Sequence, residues 1–126
     1  MKNKSLSLKE LQNLRKKFQS KKIGLVHGVF DLFHYGHLLH IEKAKSLCDI
    51  LVVSITSKKF INKGPGRPFY NDLQRKNVLS SLKQVDYIII SEKESSVDII
   101  KSLKPNIYFK GSDYSDFSKD YSKKIH

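Results

Sequence analysis

Four short apolar runs, separated by segments with helical spacing, constrain this chain more than any other feature. The runs are Ile23 to His27, Ile50 to Ile55, Val85 to Ile90 and Ile107 to Phe109. The second is almost wholly apolar and rich in β-branched residues, as a strand covered on both faces requires. Between the first two, Leu38, Ile41, Ala44 and Leu47 fall on one side of a helix from Tyr35 to Leu47. Asn71-Asp72-Leu73-Gln74 reads as another helix start, running to about Leu82. Ser95 or Ser96 caps a third helix, which ends at Leu103 because Pro105 follows. Strands alternating with helices give an α/β class, a Rossmann-like doubly wound parallel sheet with helices on both faces. Such sheets bind ligands at the carboxyl ends of their strands, where the strand order reverses. The loops after the first, second and fourth strands are therefore expected to carry function.

The 126 residues read as a single domain, 1–126. Ser7-Leu8-Lys9-Glu10 has the form of a capping box, and Leu11, Leu14 and Phe18 follow at helical spacing, giving an N-terminal helix within residues 1–20. Residues 57–70 hold Gly64, Pro65, Gly66 and Pro68 and read as a loop. Beyond Gly111 the chain is rich in Ser, Asp and Lys, and residues 115–126 are expected to be a polar tail.

One cysteine, Cys48, excludes an internal disulfide. No apolar run is long enough to span a bilayer, and no apolar signal core follows the Lys-rich start, so the expectation is a cytoplasmic protein with no membrane partner. The net charge of +12 favours anionic partners. No RNA-binding aromatic motif and no zinc-finger spacing accompany it, and the terminal Lys clusters read as solvated surface, so nucleic acid is not expected. Phosphorylated small molecules suit the charge better.

The first loop reads Gly28-Val29-Phe30-Asp31-Leu32-Phe33-His34-Tyr35-Gly36-His37. Gly28 lets the backbone turn out of the strand. Gly36 lets a ligand approach the next helix. His34 and His37, three apart, share a helix face. A helix N-terminus attracts phosphate through its N–H groups and dipole. Two imidazoles there can donate to a polyphosphate and stabilise charge growing on an attacked phosphorus. Zinc would need more ligands, so no metal ligand set is expected. His40 reads as an exposed or capping side chain, His27 as a residue that touches the same pocket, and Cys48 as a small packing residue.

His34-Tyr35-Gly36-His37 resembles the His-x-Gly-His signature of the nucleotidyltransferase superfamily, and Gly28-Val29-Phe30-Asp31 resembles the lead into it. Lys63-Gly64-Pro65-Gly66-Arg67-Pro68, with Asn71 and Gln74-Arg75, resembles the phosphate loop of cytidylyltransferase-like proteins. Lys110-Gly111-Ser112-Asp113-Tyr114 resembles a Lys-Gly-x-Asp-Tyr motif of the same group. The three motifs, in order over roughly residues 8–114, are similar to the adenylyltransferase domain of heptose-phosphate kinase/adenylyltransferases and to glycerol-3-phosphate cytidylyltransferase. The resemblance implies transfer of CMP or AMP from CTP or ATP to a phosphorylated small molecule such as a sugar phosphate or glycerol phosphate, with release of pyrophosphate.

It implies roles as well. His34, His37, Lys63 and Arg75 would be catalytic, with Lys63 and Arg75 handling phosphate. Gly28, Val29, Phe30, Asp31, Gly36, Arg67, Lys110, Gly111 and Asp113 would line the nucleotide site. Mg²⁺ would enter on the triphosphate, held mostly by phosphate oxygens and water. A homodimer is implied. Members of the group carry a further strand and a Ser/Thr-rich turn opening a last helix. Neither is legible before His126, so the sheet is expected to lack both. The alternative function is a catalytically incomplete nucleotide-binding module acting through a partner domain or oligomer.

Overall fold

Each apolar run becomes a strand, because only a sheet covered on both faces can bury so many consecutive branched side chains. The computed structural model describes residues 4–61, 68–92, 96–110 and 122–124. In chain order the elements are α1 (Leu8–Lys17), β1 (Ile23–Gly28), α2 (Tyr35–Ser46), β2 (Ile50–Thr56), α3 (Asp72–Ser80), β3 (Tyr87–Ser91), α4 (Val97–Leu103), β4 (Ile107–Lys110) and β5 (Ser122–Lys124). The sheet order is β3-β2-β1-β4-β5. The first four strands are mutually parallel, with Val26 level with Val53 on one side and Phe109 on the other. The doubly wound α/β class is the one the sequence implies.

Alternate residues of each strand feed two separate cores. Val26, Val53 and Ile55 pack with Ile41 and Ala44 of α2 and Leu79 of α3. Leu25, Val52 and Ile89 pack with Leu11 of α1 and with Ile99 and Leu103 of α4. The α1 helix starts where the sequence signals it: Ser7 Oγ accepts the Glu10 N–H, and the Glu10 carboxylate accepts the Ser7 N–H. Asn71 and Gln74 form the same reciprocal cap on α3.

Three expectations change. β3 begins at Tyr87 rather than Val85, because Asp86 turns aside to accept the Leu51 N–H and the Lys45 ammonium at 2.8 and 2.7 Å. His40 is buried, not exposed. Its place on α2 between Ile41 and His37 turns it inward. Part of the segment read as a polar tail is a strand: residues 122–124 pair antiparallel with β4, an arrangement that needs backbone groups only and suits polar residues at a sheet edge.

Gly24 allows the end of α2 to approach β1. A Cβ there would stand 2.9 Å from both Cys48 Sγ and Phe109 Cε2. Burial pushes the Cys48 thiol up to about 11, so it is a packing group and not a nucleophile at neutral pH. Gly24→Ala is expected to destabilise the fold by roughly 1–3 kcal/mol through overpacking. Urea unfolding measures this, and combining it with Cys48→Gly should recover part of the loss.

A polar trio crosses β1 and β2, with Ser54 and Thr56 buried and His27 half-buried. His27 meets Ser54 Oγ through Nδ1 at 2.8 Å and Thr56 Oγ1 through Nε2 at 3.3 Å. Burial holds both His27 and His40 below the ordinary imidazole range. As pH falls, the unfolded chain takes up protons first, near about 6.5, so stability is complete above that value and declines below it. The melting temperature should therefore fall between about pH 7 and about pH 5, and His40→Gln should flatten the slope. An unchanged slope in that variant would mean that His40 contributes nothing to it.

Candidate active site

The strand order reverses at β1. The chain leaves it towards β2 and returns on its other side as β4. In sheets of this kind ligands bind beside the carboxyl ends of the strands that flank such a reversal, here β1 and β4. Gly28 ends β1 there, and Lys110 ends β4 in register with His27. Gly111 and Asp113 lie outside the described residues, as do Lys63 and Arg67 after β2.

The segment 28–37 leads from β1 into α2, whose N-cap is His34. Its Nδ1 accepts the Gly36 N–H at 3.0 Å, and Nδ1 of His37 accepts the His34 N–H at 3.0 Å. The two imidazoles thus do the capping work that Ser and Glu do in α1. A nitrogen that accepts carries no proton, so each neutral ring bears its proton on Nε2. The pair is held with ring centroids 4.0 Å apart. His37 is buried and His34 exposed. Phe33 stacks on His37 at 5.3 Å and Phe30 meets it edge-on at 5.6 Å. This site offers two Nε2–H donors beside a positive helix end, which matches a polyphosphate.

Phe30 has φ 53°, in the left-handed region, while its ring is buried. For a bulky residue such a backbone costs on the order of 1–3 kcal/mol and needs outside support. Two groups flank it. The Asp31 carboxylate accepts the Phe69 and Tyr70 N–H groups at 2.8 and 2.9 Å. On the other side Arg75 Nη1 donates to the Val29 carbonyl at 2.9 Å. Asp31 accordingly ties the loop to the segment before α3.

Arg75 requires a correction. The expected phosphate-handling cation is only 1% exposed. Nη1 donates also to the Thr56 carbonyl at 2.7 Å, Nε to Tyr70 O at 3.1 Å and Nη2 to Asp72 Oδ1 at 2.6 Å. Burial pushes this guanidinium below its ordinary value, while Asp72 and Asp31 pull the other way. With these donors held by acceptors inside the protein, Arg75 braces the loops of the site.

Sequence reasoning missed Asp72 and Ser57. Asp72 also accepts the Ser57 hydroxyl at 2.9 Å and the Lys58 N–H at 2.7 Å, tying the end of β2 to α3. In the sequence Asp72 reads only as a first-turn acid suited to the helix dipole. Two hollows flank α3 here. One, of about 470 Å³, is lined by Phe30, Asp31, Phe33, Tyr70 and Val78, and the other, of about 570 Å³, by Ser57, Lys58, Lys59 and Leu73. A third, of about 350 Å³, lies against the opposite helix layer beside Leu8, Ile89 and Ile99, away from the imidazoles.

No helix of the described residues is long and apolar enough to cross a membrane. The chain matches the cytidylyltransferase-like family over residues 25–126. It is 40% identical over 115 residues to the bifunctional protein HldE of Helicobacter acinonychis, covering 90% of this chain and 25% of that protein. It is 38% identical over 112 residues to HldE of Campylobacter jejuni subsp. doylei, covering 87% of this chain and 24% of that protein. The chain thus spans about a quarter of the length of these curated relatives. Among solved structures, a lipopolysaccharide core biosynthesis protein from Thermoplasma volcanium superposes with a TM-score of 0.65 at 27% identity, over 71% of this chain and 73% of that one. Pantoate–beta-alanine ligase from Francisella tularensis shares the fold, with a TM-score of 0.60 at 22% identity over 85% of this chain and 56% of that one. The family match covers far more than half of the sequence, and its span includes the paired imidazoles: the chain belongs to the cytidylyltransferase-like family.

Proposed function

We propose that this chain transfers a nucleotide, CMP or AMP, from a nucleoside triphosphate to a phosphorylated small molecule, with release of pyrophosphate. The observation that carries this reading is the pair of imidazoles at the α2 N-terminus, both held with Nδ1 as acceptor. Their Nε2–H groups donate to the triphosphate and to charge that builds on the α-phosphorus during in-line attack by the acceptor phosphate. No covalent intermediate is required. Lys63 and Arg67 assist at the phosphates, and Gly28, Val29, Gly36, Lys110, Gly111 and Asp113 border the nucleotide. Arg75 and Asp31 act through the loop they brace.

Mg²⁺ enters as the triphosphate complex. The groups gathered at the α2 N-terminus are N–H donors and imidazoles, which fit an anion whose metal is held by phosphate oxygens and water. A sugar phosphate is the acceptor we favour, a reading supported by the likeness to HldE and to a lipopolysaccharide core biosynthesis protein. A single domain, a homodimer and a cytoplasmic setting complete the proposal.

Thermal unfolding with Mg²⁺ and each of CTP, ATP, GTP and UTP tests the binding half. Ligand at a hundredfold excess over its dissociation constant should stabilise the fold by about 2.7 kcal/mol. A shift with one base identifies the donor, and no shift with any removes the nucleotide site. His37→Ala should abolish transfer and lower stability by about 1 kcal/mol through the lost cap. Unchanged turnover in that variant would remove the imidazole mechanism.

A further inference from the structure

One carboxylate joins three groups beside the site without being used by the transfer chemistry itself. Asp72, at the first turn of α3, holds Arg75 Nη2, the Ser57 hydroxyl and the Lys58 N–H together. A guanidinium is rigid and planar, so fixing Nη2 fixes the direction of Nη1 and Nε as well. Nη1 then falls on the carbonyls of Val29 and Thr56.

The bond to Val29 matters most. Its carbonyl belongs to the peptide plane whose rotation defines φ of Phe30, and that angle is left-handed. Returning Phe30 to an ordinary angle would rotate this plane and carry the carbonyl away from Arg75. The ring of Phe30 lies edge-on against His37. One line of contacts therefore runs from Asp72 through Arg75 and the Val29–Phe30 peptide to the His37 imidazole.

We infer that Asp72 is a positioning residue for the transfer, holding the Arg75 guanidinium so that the Val29–Phe30 peptide keeps its left-handed turn and the Phe30 ring keeps His37 in place. This rests on the reading that His37 takes part in the reaction. The carboxylate form is needed. An amide of the same size would bring an N–H₂ donor among donors and leave the buried cation without its countercharge.

Asp72→Asn tests this in two ways. In transfer assays kcat should fall roughly ten- to a hundredfold, as misplacement of a reacting group does. The KM for triphosphate should change little. In long-range ¹H–¹⁵N spectra the ring resonances of His37 should move, while those of His40, deeper in α2, should stay. A merely structural role would lower the melting temperature without shifting His37 or separating kcat from KM.

Unchanged kcat overturns the inference, and so does a fall in kcat with the His37 resonances unmoved, since Asp72 would then act at the acceptor end. If the wild-type chain transfers nothing, the proposed function fails on its own, and the histidine spectrum alone decides the role of Asp72. If Asp72→Asn does not fold, Ser57→Ala removes one of the three bonds to the carboxylate. It should shift His37 in the same direction by less, and no shift overturns the inference.

Discussion

The buried guanidinium of Arg75 is the constraint on which the upper half of the molecule depends. A cation taken out of water is costly unless every donor finds an acceptor and a countercharge lies close. Arg75 places four of its five N–H groups on three backbone carbonyls and the Asp72 carboxylate, which also supplies the countercharge. Those acceptors come from the end of β1, the end of β2, the segment before α3 and α3 itself. Four pieces of chain are thus gathered by one side chain. A second arginine closes the opposite end of the sheet in the same way: Arg15 donates to the Leu103 and Lys104 carbonyls and to Asn106, whose side chain also accepts the Ile23 N–H.

The two arginines show how a small α/β domain ties loops that cannot form regular structure. Loop carbonyls near the sheet edge are shielded from water and need donors. A planar five-donor group supplies several at once. At the site end this bracing also supports the left-handed Phe30, a conformation that the loop alone would not keep. Helix propensity and core packing set the frame, and the arginine networks set the shape of what the frame presents.

The frame was legible in the sequence because its signals are local. Apolar runs marked the strands, and Ser7–Glu10 and Asn71–Gln74 marked two helix starts through reciprocal caps. The paired histidines were legible as a motif. What stayed hidden depends on distant partners. Arg75 reads as a phosphate-handling cation until the carbonyls of Val29 and Thr56, 46 and 19 residues away, are seen to converge on it. His40 reads as an exposed or capping side chain because imidazole is polar, yet its phase on α2, beside His37 and Ile41, turns it inward. The antiparallel pairing of residues 122–124 leaves no apolar signature, since an edge strand needs only backbone complementarity. Ser96 does sit at the start of α4, but its hydroxyl meets Tyr108 and not the helix end, a choice made by packing across the fold.

The capping of α2 by imidazoles has a consequence for descent. Nδ1 supports the helix, and in the proposed transfer the nitrogen that meets phosphate is Nε2, the other nitrogen of the same ring. Selection for folding acts on Nδ1 alone, and an Asn, Asp or Ser at position 34 supplies an equivalent acceptor. Under the proposed transfer, selection would act on Nε2, which none of those residues provides. A lineage that kept the domain but abandoned the chemistry would therefore drift towards ordinary capping residues at position 34 without losing its helix.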